Sequence, residues 1–408
     1  MSANNNQAVA ASLAQAKAAY DHLEAPLLAS VSGAAFREET DTTIMLLKAL
    51  SAVEMGSDVL LLANSWKKVQ QIVRLGLAKT MFSIGDKLYC NRSGVELEWD
   101  VIGVDHDTPT DSRFTHSLTL QLHDCFPTAM QFDAPEAFYY CHSVLTAGTY
   151  YFAANGTNYQ FTVTGDGIAA GSQLILNFTG NTPTSIFVSA AVGGDFVKDT
   201  NGTDNLTIAV TAGSGGTPLN ADYINDIDRV NKGSNNYKES AIRQWLNKSN
   251  VAGPVWTAQN NFDRPPTWYT GNNTAGFVDG MDADFLAVLG NVTKVTAVPD
   301  SNTTDTTTET FFLLSKSEVY GGLENGVDEG APYPYYANYS KLSSAGTGAD
   351  SNRIKYRNGT EPPTTQSWRI RSTNSTDSAY IYSVDESGGV ANSYAYNNRG
   401  VAPACCII

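Results

Sequence analysis

The stretch from Trp368 to Ile408 constrains the fold of this 408-residue chain more than any other. It opens on Trp368-Arg369-Ile370-Arg371-Ser372, runs through Ser, Thr, Asn, Asp and Tyr, and closes on Gly400-Val401-Ala402-Pro403-Ala404-Cys405-Cys406-Ile407-Ile408. Chain ends are usually polar and frayed unless a strand or helix ties them down. An apolar closing segment therefore predicts a strand docked into a sheet. Between the two apolar anchors lies a segment rich in Tyr and Asn with almost no aliphatic content. Such side chains on a rigid frame make a binding surface, as in antibody paratopes.

Composition bounds the partners. A net charge of −15 without a dense Lys/Arg cluster argues against nucleic acid, whose phosphates demand a basic patch. Abundant Gly, Asn, Thr, Ser and Tyr predict a β-rich, loop-rich chain. The longest apolar runs, such as Val59 to Ala63, are too short to span a bilayer, so no membrane insertion is expected. The first residues lack the basic and apolar regions of a signal peptide, which predicts synthesis in a cytoplasm. Five cysteines (Cys90, Cys125, Cys141, Cys405, Cys406) without CxxC spacing read as buried, reduced thiols.

The pattern changes along the chain and predicts an α+β architecture. Residues 1–80 read as a helical attachment or oligomerisation region. Val9, Leu13, Ala16, Tyr20, Leu23 and Leu27 follow the seam spacing of a short coiled coil, ending near Pro26. Further helices are expected from about 41 to 50 and from Asp58 to Leu75, the last stopped by Gly76. A helical cap on the main domain and an oligomerising stalk both fit this region. Residues 81–145 alternate as strands over Phe82–Leu88, Glu96–Val104 and Thr115–Leu122, the last with His116, Leu118, Leu120 and Leu122 on one face. Residues 146–218 carry short β-rich runs separated by Gly/Asn/Asp turns and predict an inserted β-sandwich. Residues 219–408 resume the main domain. They carry a helix around Asn235–Asn247, with Ser240 within it, a second near Met281–Leu289, a buried strand at Phe311–Ser315, and a long Gly/Pro/Tyr/Asn tract over 321–366.

Several pieces in fixed order resemble a lectin-like domain of unknown function that recurs in structural and fibre proteins of gut phages and prophages. They are Phe82-x-Ile84-Gly85-Asp86, Trp99-Asp100-Val101-Ile102-Gly103, His116-Ser117-Leu118-Thr119-Leu120, Ser240–Asn247, Phe312-Leu313-Leu314-Ser315, Trp368-x-x-Arg371-Ser372 and Gly400-Val401-Ala402-Pro403-Ala404. The arrangement also resembles the C-type-lectin-like fold of variable proteins diversified by phage retroelements. That resemblance implies a mixed domain whose first and last strands meet, and a variable-type surface between residues 373 and 398. A second Trp commonly follows the first in that family; here Arg369 takes its place.

On this reading the receptor-contacting candidates are Asn374, Asp377, Tyr380, Tyr382, Asp385, Asn392, Tyr394, Tyr396, Asn397 and Asn398. Trp99, Trp245, Trp368, Arg371, Gly400 and Pro403 are scaffold. The expected protein is a non-enzymatic virion component, a tail or head fibre, made in a bacterial cytoplasm. Its partners are a host cell-surface receptor, other virion proteins and copies of itself, with a trimer favoured. A purely architectural capsid- or tail-decorating protein is the alternative, and an enzyme on a related scaffold, of the formylglycine-generating or glycan-hydrolase type, a third.

Other constellations favour structural roles. Four of the five histidines, His106, His116, His123 and His142, cluster in sequence with Asp and Cys, but no HxH, HExxH or CxxC spacing accompanies them, so no metal site is assigned. The acidic runs Asp279–Asp284 and Asn325–Glu329 have calcium-type ligands without EF-hand spacing, and calcium is the one cofactor left open. No Gly-x-Ser-x-Gly elbow is present. Tyr333, Tyr335, Tyr336 and Tyr339 either stack on a ligand or pin the long loop, the second being favoured for Tyr335 and Tyr339.

Overall fold

A computed structural model describes residues 66–189, 207–298, 303–324, 326–337, 352–359, 363–374 and 378–408, and within them strands predominate over helices in a mixed α+β arrangement. The heptad run at 9–27 and the helix expected at 41–50 lie outside the described residues. The helix Trp66–Arg74 buries Trp66, Val69, Ile72 and Val73 on one face. It stops at Gly76, whose φ of +70° favours glycine.

Strand β1 (Lys87–Arg92) pairs with the ten-residue β2 (Val95–Val104) through a tight hairpin turn, with Ser93 and Gly94 both at positive φ. That geometry matches the strands' right-handed twist. The strand expected to begin at Phe82 begins instead at Lys87. Asp86 accepts from the Ser83 amide (2.8 Å) and Gly85 sits at φ +93°, so a turn replaces the first half of the alternating run.

In β3 (Leu118–Leu122) every residue is buried. Its polar face meets a second core, not water. Gln121 donates to Ala402 O (3.1 Å) and accepts from the Tyr336 hydroxyl, while Thr119 Oγ1 donates to Asp107 Oδ2 (2.6 Å).

Eight strands follow: β4 (Tyr139–Tyr140), β5 (Gly148–Ala154), β6 (Thr157–Val163), β7 (Gln173–Thr179), β8 (Thr182–Ser189), β9 (Thr207–Ala209), β10 (Thr211–Ala212) and β11 (Thr217–Pro218). They form two four-stranded sheets, β10-β6-β5-β11 and β4-β7-β8-β9. Phe152, Phe161 and Val163 of one sheet share a hydrophobic cluster with Leu174, Leu176, Ile186 and Ile208 of the other. The cluster extends past 146–218 at both ends: Tyr139 in β4 precedes it, and Val230 on the helix Ile227–Lys232 follows.

The remaining strands are β12 (Leu289–Gly290), β13 (Val292–Ala297), β14 (Thr304–Glu309), β15 (Phe311–Phe312), β16 (Trp368–Thr373), β17 (Tyr380–Val384), β18 (Val390–Tyr394) and β19 (Ala404–Ile407). β19 is the docked strand that the apolar closing segment predicts. The main sheet runs β1-β2-β3-β19-β12, and β15 joins β19 on the same edge as β12. β1 and β19 are therefore separated by β2 and β3, where the lectin-like resemblance implied that the first and last strands meet.

This sheet is a wall between two cores. Leu118, Leu120, Cys405 and Ile407 face one, with Trp99, Trp245 and Phe311; Ala404, Cys406 and Ile408 face the other, with Trp368, Tyr333 and Tyr336. All five cysteines are free and buried. The helix Ala241–Asn247 is shorter than expected because Ser240, read as internal, is its N-cap and accepts from Arg243 N. Of the long tract, Tyr333 and Tyr336 are fully buried and pin the loop to the second core. Tyr335 is half-buried and donates to Asp100 Oδ2 (3.1 Å); Tyr339 lies outside the described residues.

Candidate functional site: a tyrosine face on a clamped sheet

Strands β16, β17 and β18 form a three-stranded antiparallel sheet, and alternation along β17 and β18 decides which side chains share a face. Tyr380 lies opposite Tyr394, and Tyr382 opposite Asn392. The rings of Tyr380 and Tyr394 are 4.4 Å apart, and Tyr396 lies nearly parallel to Tyr394 at 5.9 Å. Three half-buried rings thus form a continuous row. Lys232, ion-paired to Asp228 (2.8 Å), places its ammonium 4.9 Å from the Tyr394 ring centre. Lys316, paired to Glu324 (2.7 Å), lies 4.2 Å over Tyr382 and half-buries that end of the face. Burial pushes the Tyr382 phenol pKa up.

The other candidates separate from this row. Asp385 accepts from Ser387 N (2.8 Å), Gly389 N (2.9 Å) and the Ser387 hydroxyl (2.7 Å), so it builds the β17–β18 turn. Asn374 lies at the mouth of the sheet, its amide donating to Tyr380 O (3.0 Å). Asn397 contributes its backbone to a turn closed by its amide on Tyr394 O (3.1 Å). Asn392 and Asn398 are exposed. Asp377 lies outside the described residues.

Arg369 holds the row from behind. Wholly buried, it donates from Nη1 to Ser393 O (3.2 Å) and Ser393 Oγ (2.7 Å), and from Nη2 to Tyr394 O (2.7 Å) and Asn397 O (2.9 Å). Burial, and then the charge of Arg399, push its guanidinium down to about 9, which leaves it cationic at neutral pH. Next to Trp368 this chain carries a fork that ties residues 393–397 to β16. Sequence marked the position as a departure but gave no sign of its partners. Arg369→Met takes one donor from each of these carbonyls, Tyr394 O keeping the Asn397 amide, and a buried acceptor left unpaired costs about 1–3 kcal/mol. A loss of about 2–3 kcal/mol overall is expected, with faster amide hydrogen exchange confined to residues 393–399; unchanged exchange there would sink the clamp.

The scaffold residues are buried as a set. Trp99 Nε1 donates to Cys90 Sγ (3.2 Å), Trp245 Nε1 to Ala275 O (3.0 Å) and Trp368 Nε1 to Arg353 O (2.9 Å). Pro403 O accepts from Leu122 N (2.9 Å). A Cβ on Gly400 would lie 2.7 Å from Cys125 Sγ and 2.9 Å from Ser367 O, so no larger residue fits without a shift. Arg371 forks to Leu313 O (2.9 Å), Glu329 O (2.8 Å) and the Glu318 carboxylate (2.5 Å). Glu318 also takes Lys294 (3.0 Å), and Lys294 takes Asp107 (2.5 Å), making one buried charge network.

Among the described residues, the four histidines do not converge. His106 stacks on Tyr333 and His142 on Tyr223, each at 4.0 Å, while His116 contacts Asp105 (3.1 Å). His123 with Glu98 and Asp100 brings three ligand atoms within 4.8 Å. Here Lys87 sits on Glu98, and Asp100 is bonded through His123 Nδ1 (2.8 Å). Burial raises the Asp100 pKa, but that bond and the Lys355 charge hold it below the usual range. In the acidic runs, Asp279 accepts from Gly276 N (2.7 Å) and Asn250 N (2.9 Å), and Asp282 from Asn91 N (2.7 Å).

Residues 214–408 match the family model of DUF6273, a domain of unknown function. The DUF6273 segment contains the tyrosine face, its Arg369 clamp and strands β12 to β19. Strands β1 to β3, half of the main sheet, precede it, as do the resemblance pieces between Phe82 and Leu120. No curated protein and no solved structure matches the chain.

Proposed function

We propose that the tyrosine face is the receptor-contact surface of a phage virion protein, a tail- or head-fibre adhesin whose lectin-like domain binds a host-surface glycan or protein. The observation that carries this reading is the row Tyr396–Tyr394–Tyr380 standing on backbone clamped by Arg369. Rings fixed before contact lose little side-chain entropy on binding, which is why rigid aromatics dominate recognition surfaces. Their flat faces suit sugar rings, and exposed Asn392 and Asn398 add hydrogen-bonding groups at the rim. Weak single contacts gain avidity when a particle displays many copies.

Replacing Tyr380, Tyr382, Tyr394 and Tyr396 with alanine in the assembled particle is expected to lower adsorption to host cells by at least about 30-fold, since one aromatic hot spot alone is worth about 2 kcal/mol. Unchanged adsorption by particles that incorporate the variant normally would overturn the receptor role. A failure of incorporation itself would instead assign the face to virion contacts.

A further inference from the structure

The tyrosine row is also held from a second side, by a helix that belongs to the β-sandwich. Val230 on Ile227–Lys232 is 2% exposed within the sandwich cluster, and Ile224 and Ile227 pack beside it. Asp226 Oδ1 caps the helix, accepting from Asp228 N (2.8 Å) and Arg229 N (3.2 Å). Arg229 anchors its middle on Glu136 (2.8 Å) and Glu239 (3.0 Å). Its end fits closely: Gly233 stands at φ +82°, and a Cβ there would lie 3.1 Å from the Asp133 and Ala134 carbonyl oxygens.

From this anchored segment, contacts run to both tyrosine strands. Asp226 Oδ1 accepts from Ser378 Oγ (2.9 Å), just before β17. Lys232 O accepts from Tyr396 N (3.1 Å), and the Lys232 ammonium stands 6.0 Å from the Tyr380 ring centre as well as near that of Tyr394. Asn235, wholly buried, donates from its amide to Ser378 O (3.0 Å) and from Nδ2 to Tyr380 O (2.8 Å). Arg369 takes Ser393, Tyr394 and Asn397 instead. The two sets of bonds share no atom of the row, so the sandwich helix and β16 grip different parts of it.

We propose that the β-sandwich positions the tyrosine row through this helix, with Asn235 as the positioning residue. The proposal deepens the receptor reading and rests on it for its role in binding: the inserted module sets the geometry of the contact surface. Buried as it is, Asn235 touches no ligand, so its effect on binding passes through the Tyr380 backbone that it holds. A row fixed before contact loses less freedom on binding.

The test is fluorine NMR of the full chain carrying 3-fluorotyrosine at position 394 alone, with and without Asn235→Ala, well below the melting midpoint. Loss of the Nδ2 donor releases Tyr380 beside that ring, so the line should shift and broaden in the folded variant. Ile72→Val, a buried truncation in the helix Trp66–Arg74, should lower the melting temperature and leave the line as it is. Particles carrying Asn235→Ala should adsorb to host cells about 10-fold less at that temperature, the upper end of what one neutral hydrogen bond is worth. A merely structural role lowers the melting temperature and moves neither readout. Should Asn235→Ala fail to fold, Ser378→Ala cuts the tie to Asp226 and decides by the same line. An unchanged line in the folded variant overturns the proposal. If the four-tyrosine variant loses adsorption while Asn235→Ala keeps it, positioning is overturned and the receptor reading stands. If the line moves and neither variant changes adsorption, the receptor reading fails and the positioning of the row stands.

Discussion

Glu318→Ala is expected to cost about 3–5 kcal/mol of folding stability, the usual range for removing one partner of a buried ion pair. Glu318 is the common anion of Arg371 and Lys294, whose side chains are 0% and 3% exposed. Its removal takes away the one carboxylate that pairs with both cations. It also dismantles the capping box at the start of Lys316–Tyr320, where Ser315 and Glu318 each accept the other's backbone amide. Urea denaturation monitored by tryptophan fluorescence measures the loss. The triple variant Lys294→Met, Glu318→Leu, Arg371→Met should lose less than Glu318→Ala, because an apolar replacement leaves fewer unpaired buried charges. If the single and triple variants fell equally, packing and not charge pairing would be the cause.

The same network sets the acid limit. Although burial raises the Asp107 pKa, Lys294 and the Thr119 and Tyr333 hydroxyls hold it down to about 2; Arg371 and Lys294 hold Glu318 below its ordinary value against burial. Both folded values lie below the unfolded ones. Their stabilisation is therefore present above pH about 4 and lost as pH falls toward 2. Burial shifts Glu329 the opposite way, so its contribution is present at low pH and lost as pH rises through the carboxylate range. Glu318→Ala should consequently flatten the fall in stability between pH 4 and 2.

Cys405→Pro should prevent folding altogether. Cys405 pairs with Leu120 on one side and Phe311 on the other, in the strand both cores share. Proline there removes a ladder donor, and central strands do not accommodate it. The expected outcome is insoluble product or loss of near-ultraviolet circular dichroism. The control Val251→Ser, at 91% exposure, should behave as wild type. A soluble, cooperatively melting Cys405→Pro would show that β19 is dispensable.

Some of this architecture is legible in residue order. The unbroken apolar runs at Phe311-Phe312 and Ala404–Ile407 announce buried strands because no alternation with solvent is needed there. What stays hidden has physical reasons. Alternation in Leu118–Leu122 reads the same whether its polar face meets water or a buried Gln121–Tyr336–Ala402 network. Asp385 and Asn392 belong to one composition class, yet one closes a turn and the other is exposed, since an Asp that accepts local amides looks like any contact residue until the turn is seen. Lys232 and Lys316 reach the tyrosines from distant segments, a relation that no local pattern encodes.

The place of β19 also bears on biosynthesis. Its partner β3 is made some 280 residues earlier, so during translation the β3 edge has to wait for residues 404–407. Such an open edge is a template for pairing with other chains. The sheet closes only after residues 404–407 have emerged, and ribosome-associated chaperones have a defined client in the interval. A message truncated between Leu122 and Ala404 then yields a product with a permanently sticky edge, so aggregation and not partial function is the expected fate of such a fragment.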